Sequence, residues 1–258
     1  MKVIVVGAGI TGLAAAWELA QSSLDLTILD SERRPGGVIV TESVDGFLVE
    51  GGPDGFLAGE PELPDLAREL GIGDRVIEQQ ERGTSLWSDG TLRPIDAGRA
   101  AKLLGIDAKP SEVAAGFRSF ASGMAEPVMA VAERLAGSLR FAQGVAGIAR
   151  EGKRWRLAIT GGSAHDADGI VLALPAYTAG RLLESIGIRG ARELAEIVYA
   201  PSVTVSLAYG EEQIGTPLSG AGFVVESPSA EQIRACTYAS RKFAGRAPGR
   251  RSEERRGG

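Results

Sequence analysis

The sequence predicts an α/β fold with a central parallel sheet, and the first thirty residues carry the prediction. Residues 2–6, Lys-Val-Ile-Val-Val, form an almost wholly apolar, β-branched run, as in a strand covered on both faces. Three glycines follow, and Leu13, Ala16, Trp17 and Ala20 then share one helical face. A second apolar run, 26–29, ends at Asp30. This order of strand, helix and strand has the length of one βαβ unit.

Turn residues and apolar spacing predict the later elements. Asp-Gly between apolar runs is typical of a hairpin, glycine commonly closes a helix, and proline ends a buried strand. The expected elements are a hairpin over 38–50 that turns at Asp45-Gly46, a helix over 62–70 before Gly71, a hairpin over 84–95 that turns at Asp89-Gly90, a helix over 125–139, strands over 155–159 and 167–174, a helix over 177–186 and a strand over 203–209.

Composition excludes several classes of protein. The 258 residues are 44% apolar and 24% charged, as in an ordinary globular chain. A single cysteine, Cys236, excludes an internal disulfide, and a single histidine, His165, excludes histidine-based metal sites, so we expect no metal. We read both residues as packing or loop positions. The N-terminus lacks the pattern of a signal peptide and no apolar run reaches membrane-spanning length. We therefore expect a cytoplasmic protein without a transmembrane segment, which leaves room for peripheral membrane contact.

The formal net charge of −5 is unevenly distributed. Residues 241–258 hold seven basic and two acidic side chains, so the rest of the chain carries −10. A nucleic-acid-binding protein would carry basic charge on its folded surface, and we expect no nucleic-acid partner. The basic stretch 241–258 is predicted to be a disordered tail.

A glycine-rich motif follows the first strand and opens the first helix. Its residues are Gly7, Ala8, Gly9, Ile10, Thr11 and Gly12. In this motif the first glycine permits a tight turn, the second lets the backbone approach a pyrophosphate, and the third lets the helix pack closely on the strand. The helix N-terminus attracts negative charge, and a carboxylate such as Asp30 can bind a ribose diol. The pattern predicts a Rossmann-type dinucleotide site.

The following segment distinguishes the flavin from the nicotinamide dinucleotide. Arg34, Gly36 and Gly37, then a hairpin, then Gly52-Pro53-Asp54, resemble the FAD site of the amine-oxidase-like flavoprotein superfamily. An extended cofactor requires several backbone segments without obstructing side chains. A plain NAD dehydrogenase is disfavoured, because the chain lacks a second complete nucleotide motif.

Residues 45–57, Asp-Gly-Phe-Leu-Val-Glu-Gly-Gly-Pro-Asp-Gly-Phe-Leu, narrow the resemblance to the FAD-dependent protoporphyrinogen/coproporphyrinogen oxidases of haem biosynthesis. Similarity continues at 70–75, 120–124 and 167–176. The resemblance implies that the following residues line FAD: Gly7, Ala8, Gly9, Ile10, Thr11, Gly12, Asp30, Ser31, Arg34, Gly36, Gly37, Gly52, Pro53, Asp54, Gly55 and Val145. It further implies that Arg34 approaches the ADP portion and that Val145 contacts the adenine through its backbone.

The chain departs from that family in several places. Val38 stands where the family has a basic residue, and Gly55 stands where it has serine. Only residues 96–116 bridge the position of a long substrate-binding domain, and the family continues beyond 248 where this chain has its basic stretch. We therefore expect a truncated protein whose substrate domain is largely missing. The expected division is 1–95 and 117–240 for the FAD-binding domain, 96–116 for the bridge and 241–258 for the tail.

The activity that the resemblance implies is oxidation of protoporphyrinogen IX or coproporphyrinogen III, with O2 as acceptor. The expectation includes the loss of this oxidase activity through the missing segments. The sequence identifies no catalytic acid or base, and it defines no oligomeric state. Two alternatives stay open: another flavoprotein of the superfamily, such as an amine oxidase or a carotenoid-type desaturase, and a non-catalytic nucleotide-binding remnant.

Overall fold

The computed structural model describes residues 1–215, 218–226 and 233–248. Its strands are β1 Lys2–Val6, β2 Asp25–Leu29, β3 Thr41–Val44, β4 Phe47–Glu50, β5 Phe56–Leu57, β6 Val76–Glu78, β7 Thr84–Ser88, β8 Thr91–Ile95, β9 Phe117–Phe120, β10 Leu139–Arg140, β11 Val145–Glu151, β12 Arg154–Ile159, β13 Ala164–Ala167, β14 Gly169–Leu172, β15 Gly222–Val225 and β16 Ala235–Thr237. Its α-helices are α1 Ile10–Ala20, α2 Glu62–Glu69, α3 Ala97–Leu104, α4 Pro110–Ala114, α5 Ala125–Arg134, α6 Ala176–Glu184, α7 Ala191–Ala195 and α8 Ala239–Lys242.

The chain forms two compact units, each built from distant segments. The first unit comprises residues 1–40 and 125–204, and the second comprises 41–124 together with the residues from 205 onward. The sequence instead suggests a division into consecutive segments with the bounds 1–95, 96–116, 117–240 and 241–258. That division stays a prediction.

A parallel sheet lies at the centre of the first unit, in the order β10-β2-β1-β14. Strand β1 is flanked on both sides, with Val5 opposite Ile28 on one side and opposite Val171 on the other. Because both faces of a central parallel strand are covered, its apolar run is buried throughout, as Ile4 and Val5 are. The predicted Rossmann-type α/β fold with its βαβ unit is confirmed.

An antiparallel sheet, β11-β12-β13, completes the first unit. Its apolar face joins the parallel sheet and α6 in one cluster, in which Leu157 packs with Ile4, Leu29 and Leu182. The chain passes directly from β13 into β14, so the predicted single strand over 167–174 is two strands in different sheets. Asp168 marks the break, where its carboxylate accepts the Lys2 N–H at 2.7 Å.

The second unit holds three small sheets, of order β16-β15-β7-β8, β3-β4 and β5-β9-β6. Both predicted Asp-Gly hairpins form, and Asp45 and Asp89 adopt the positive φ that such turns require. Helix α3 packs on the first of these sheets, with Ala100 against Leu86 and Val224.

Three further segments differ from the sequence prediction. The segment 96–116 contains α3 and α4, which its Ala-rich, weakly periodic sequence did not indicate. Helix α5 ends at Arg134 rather than at 139, because the next residues turn and form β10 beside β2. The segment 203–209 has the alternation of a strand but forms none. A strand requires a partner as well as a pattern, and no described strand pairs with it.

The segment 241–248 is folded, which corrects its expected disorder as part of a tail. Phe243 is 1% exposed, and Lys242 and Arg246 are also buried. The rest of the predicted tail, 249–258, lies outside the described residues. No helix in the described part of the chain is both long and apolar enough to cross a bilayer.

The burial of Phe243 gives a stability prediction. Phe243→Ala should lower the free energy of unfolding by about 3–5 kcal/mol, because it removes a buried aromatic ring and leaves a cavity. Tyr209→Ala is the matched control, since that ring is 61% exposed; it should change stability by about 0.5 kcal/mol or less. Urea denaturation measures both. Equal effects would show that the 241–248 segment does not pack as described.

Candidate dinucleotide-binding site

The glycine motif forms a tight connection between β1 and α1. Gly7 has a φ of +106°, and a Cβ there would collide with the Ala173 carbonyl oxygen. A Cβ on Gly12 would collide with the carbonyl oxygen of Gly7, so the helix packs on the strand as closely as backbone allows. A Cβ on Gly9, in contrast, would meet no atom within 4 Å. Backbone atoms therefore pack tightly against the loop at Gly7 and Gly12, whereas the space next to Gly9 is open.

The N-terminus of α1 has no side-chain cap. Gly9 caps the helix and provides no side-chain acceptor, and the first turn contains no acidic residue. The Gly9 carbonyl accepts the Leu13 N–H at 2.9 Å, as expected for a regular first turn. The first N–H groups of such a helix point out of it along the axis and attract negative charge. Pyrophosphate is a ligand that this arrangement suits.

Asp30 lies at the carboxyl end of β2, directly beside the glycine motif. Its Oδ2 accepts the Ala8 N–H at 2.6 Å and its Oδ1 accepts the Glu32 N–H at 2.7 Å. Each carboxylate oxygen can accept two hydrogen bonds, so both keep capacity for a ribose hydroxyl. The carboxyl ends of parallel strands are where such folds bind ligands.

The segment before β11 lies against Asp30 and Ser31. The Gln143 N–H donates to the Asp30 carbonyl at 2.7 Å, and a Cβ on Gly144 would lie 3.3 Å from that of Ser31. Val145 follows as the first residue of β11. The structure thus brings Val145 to the same strand end as Asp30 and Ser31.

Arg34 organises the loop that contains Gly36 and Gly37. Its guanidinium donates to the carbonyl oxygens of Gly37 at 2.8 Å, Pro35 at 3.1 Å and Ile39 at 3.3 Å. Both glycines have positive φ. The Gly36 N–H donates to the Ala8 carbonyl at 2.8 Å, which attaches this loop to the glycine motif. The visible role of Arg34 is therefore to shape a backbone segment.

The loop Gly52-Pro53-Asp54-Gly55 belongs to the second unit, whereas the residues described above belong to the first. Both Asp54 oxygens bind the Lys242 ammonium, at 2.9 and 2.8 Å, and the Ser119 hydroxyl donates to the Asp54 carbonyl at 2.9 Å. A Cβ on Gly55 would lie 2.6 Å from the Arg118 carbonyl oxygen. The Asp54 side chain is thus used within the protein, and this loop offers a ligand mainly its backbone.

A second buried cation lies next to this pair. Arg246 donates to the Ser119 hydroxyl at 2.7 Å and to the Phe120 carbonyl at 3.2 Å, and it lies 3.7 Å from Glu50. Burial lowers the pKa of the Arg246 guanidinium, and the carboxylates of Glu50 and Asp54 act in the opposite direction. Lys242 also lies over the rings of Phe117 and Phe243, at 4.7 and 5.3 Å.

Sequence reasoning missed Lys242 and Arg246 by assigning them to a disordered tail. No local signal identifies them, because Asp54, the partner of Lys242, lies 188 positions away along the chain. Burial also raises the pKa of the Cys236 thiol, which agrees with a packing role.

The fold and the glycine loop are those of a Rossmann-type domain, and family comparisons agree. A profile of the NAD(P)-binding Rossmann-like domain matches residues 5–70. The profile named flavin containing amine oxidoreductase matches residues 109–253, more than half of the chain. The chain belongs to the flavin containing amine oxidoreductase family. Membership of this family implies a flavin cofactor.

Relatives of this chain include porphyrinogen oxidases. The chain is 47% identical over 101 residues to coproporphyrinogen III oxidase of Propionibacterium freudenreichii subsp. freudenreichii, a match that covers 39% of this chain and 19% of the relative. It is 26% identical over 334 aligned positions to coproporphyrinogen III oxidase of Mycobacterium leprae, covering 93% of this chain and 73% of the relative. A crystal structure from Exiguobacterium sp. 255-15, provisionally named a protoporphyrinogen oxidase, has the same fold with a TM-score of 0.75 and 22% identity, covering 96% of this chain and 74% of that one.

The chain spans less than a quarter of the first relatives that it matches, between 19 and 24% of their length. In the longer alignment, 334 positions correspond to 93% of this chain, about 240 residues, so about 94 positions of the Mycobacterium leprae protein have no counterpart here. The relative therefore has more polypeptide within the shared span.

The two close glycine contacts give a prediction. Gly12→Ala should lower the free energy of unfolding by about 2 kcal/mol or more, because its Cβ would push α1 off the Gly7 carbonyl. Gly9→Ala should change stability by about 0.5 kcal/mol or less, since its Cβ enters open space. Thermal unfolding followed by circular dichroism compares the two, and similar melting temperatures would contradict the loop geometry.

The Lys242–Asp54 pair gives a further prediction. Lys242→Met should cost about 2 kcal/mol, because it leaves a partly buried carboxylate without its partner. Adding Asp54→Asn should cost clearly less than the sum of the single changes, by about 1 kcal/mol or more.

Arg192→Met breaks the exposed Arg192–Glu196 pair and is the control; it should cost about 0.5 kcal/mol or less. Additive effects of Lys242→Met and Asp54→Asn in urea denaturation would show that the two side chains do not interact.

Proposed function

We propose that this chain binds FAD through the glycine motif and the strand ends beside it. The observation that carries the proposal is the open space at Gly9, beside a helix N-terminus and next to Asp30. A backbone that allows close approach, uncapped amide donors and an acceptor carboxylate are the three features that a dinucleotide requires.

Each part of the ADP moiety has a matching protein group in this proposal. The amides of Ile10, Thr11 and Gly12 bind the pyrophosphate, and the free lone pairs of Asp30 accept the ribose hydroxyls. Ser31 and the backbone at Val145 lie at the same strand end as Asp30, and in this proposal they flank the adenine.

The remaining proposed contacts are made by backbone. Gly36 and Gly37 provide a segment without side chains next to the glycine motif, and Arg34 holds that segment in shape through the carbonyl oxygens. The loop Gly52-Pro53-Asp54-Gly55 belongs to the second unit and exposes mainly backbone, since the Asp54 carboxylate is bound to Lys242; its contact with FAD stays a prediction of the sequence.

For the reaction, we propose oxidation of a porphyrinogen, coproporphyrinogen III or protoporphyrinogen IX, with O2 as the final acceptor. The names of the relatives support this substrate class. The cofactor supplies the electron acceptance that the oxidation needs. The protein's own groups bind and orient the cofactor, and no described side chain is assigned a proton-transfer role.

The first experiment tests the cofactor. When the protein is titrated with FAD, binding should quench the flavin fluorescence until the site is saturated. NAD⁺ should not compete with FAD for the site. Gly9→Val should weaken FAD binding at least about 100-fold by filling the position that the pyrophosphate would occupy.

Gly137→Val is the matched control, because a Cβ at Gly137 also meets nothing within 4 Å and the residue belongs to the connection between α5 and β10. It should leave FAD affinity and stability unchanged. Saturable binding that Gly9→Val leaves intact would contradict the proposed site, and no binding by folded wild-type protein would contradict the cofactor.

The second experiment tests the reaction. FAD-loaded protein is mixed anaerobically with coproporphyrinogen III or protoporphyrinogen IX, and the visible absorbance of the flavin is followed. The flavin absorbance should bleach in the absence of O2. When O2 is admitted, the flavin absorbance should return and porphyrin fluorescence should appear. Bound flavin that stays oxidised with both substrates would overturn the activity while leaving the FAD site standing. That result would favour a protein that binds flavin but does not oxidise porphyrinogens. About 94 positions of the Mycobacterium leprae relative have no counterpart in this chain, which agrees with such an outcome.

A further inference from the structure

His165 lies in β13 rather than in a loop, on the face of the antiparallel sheet that packs into the first unit. It stands opposite Leu157 of β12, and Ala167 follows two positions along β13; both of these neighbours are 0% exposed. Opposite residues, and residues two apart on one strand, share a face of a sheet. A polar ring on an apolar face requires a hydrogen-bond partner. His165 has one in Gln143, whose Oε1 lies 2.9 Å from its Nε2.

Gln143 belongs to the connection between β10 and β11, which runs beside the carboxyl end of β2. The Asp30 N–H donates to the Arg140 carbonyl at 3.1 Å, and the Gln143 N–H donates to the Asp30 carbonyl at 2.7 Å. In addition, the Ala142 N–H donates to the Glu32 carbonyl at 2.8 Å. Gln143 is thus bound directly to the residue whose carboxylate is proposed to hold the ribose.

The same connection contains a residue in an unfavourable backbone conformation. Ala142 has a φ of +54°, in the left-handed region that residues other than glycine adopt only where surrounding contacts hold them. The end of β2 holds the connection from one side. From the other side, the N–H and the hydroxyl of Thr160 donate to the Gly144 carbonyl at 2.8 and 3.2 Å. The bond from His165 adds a contact to the Gln143 side chain.

The direction of the His165–Gln143 hydrogen bond follows from the chemistry of the amide. The Gln143 Oε1 is a carbonyl oxygen, which can only accept, so the Nε2 of His165 donates. The bond therefore requires the hydrogen to be on Nε2 when the imidazole is neutral.

We propose that His165 is a positioning residue of the FAD site, which holds the connection 142–145 beside Asp30 through Gln143 in the conformation that receives the adenine. The inference rests on the proposed binding of FAD, in which Ser31 and the backbone at Val145 flank that ring. His165 itself contacts protein only, as a group that keeps a binding segment in shape.

The proposed role concerns binding rather than folding. The sheet β11-β12-β13 is held by its own backbone pairing and by the apolar cluster around Leu157. The His165–Gln143 bond is only partly buried. Its loss should therefore loosen the connection and leave the sheet in place.

Titration calorimetry with FAD and with ADP tests the role, since ADP contains the adenine, ribose and pyrophosphate alone. His165→Leu should weaken both affinities about fivefold or more, the factor expected for one hydrogen bond. His165→Gln should restore most of the affinity, because the new amide nitrogen can replace Nε2 as the donor. Asp166→Leu is the matched control on the exposed face of β13, where its ion pair with Arg156 is half exposed; it should leave both affinities unchanged.

The two side chains should act as one unit. Gln143→Leu should weaken ADP binding by about the same factor as His165→Leu, and the double variant should bind no more weakly than either single variant. Losses that add in the double variant would show that the two side chains act separately, which would overturn the proposed pair.

His165 is the single histidine of the chain, so its imidazole gives nuclear magnetic resonance signals that need no further assignment. At alkaline pH, where an imidazole is neutral, the ring nitrogen shifts of the wild-type chain should place the hydrogen on Nε2. Gln143→Leu should remove that preference. ADP should shift the His165 signals of the wild-type chain, a response that a purely structural role would not produce. The wild-type measurements decide the matter even if a leucine variant fails to fold.

The outcomes separate this inference from the proposal on which it rests. A folded wild-type chain that binds neither FAD nor ADP would overturn both. Wild-type binding together with unchanged affinity in His165→Leu, or with an equal loss in His165→Gln, would overturn the positioning role alone. A hydrogen on Nδ1, or His165 signals that bound ADP leaves unchanged, would do the same.

Discussion

The close packing of α1 on β1 is the constraint on which the first unit depends. Since no side chain fits between Gly12 and the Gly7 carbonyl, the helix begins directly at the carboxyl end of the strand. Ala8 then takes part in two further contacts: its N–H donates to Asp30 and its carbonyl accepts the Gly36 N–H. One short loop thus fixes the positions of the neighbouring strand end and of the second glycine segment.

Buried charge has the corresponding role in the second unit. Lys242 and Arg246 are buried next to phenylalanine rings; Lys242 is paired with the Asp54 carboxylate, and Arg246 lies near Glu50 and donates to the Phe120 carbonyl. Apolar residues could fill the same volume at lower desolvation cost. What the charged groups add is direction, because Lys242 holds the Asp54 carboxylate and Arg246 donates to the Ser119 hydroxyl, which in turn donates to the Asp54 carbonyl.

Local patterns predicted local structure well and long-range contacts poorly. The run at 2–6, the three glycines and the Asp-Gly turns each determine conformation within a few residues, and β1, α1 and both hairpins follow them. The Lys242–Asp54 contact joins residues 188 positions apart, and nothing near either residue announces it. Residues 203–209 have a strand pattern without a strand, since pairing depends on what another segment offers. Helices α3 and α4 form despite weak periodicity, with the small Ala100 packing against Leu86 and Val224.

The central claim is that the glycine motif and the adjoining strand ends bind FAD. Amide hydrogen exchange by mass spectrometry tests it most directly, since it reports each segment separately in the intact chain. FAD should slow exchange in peptides that cover 7–14, 30–37 and 143–147, and Gly9→Val should remove that protection. Binding of FAD with no change in these three segments, or with protection only elsewhere, would contradict the account.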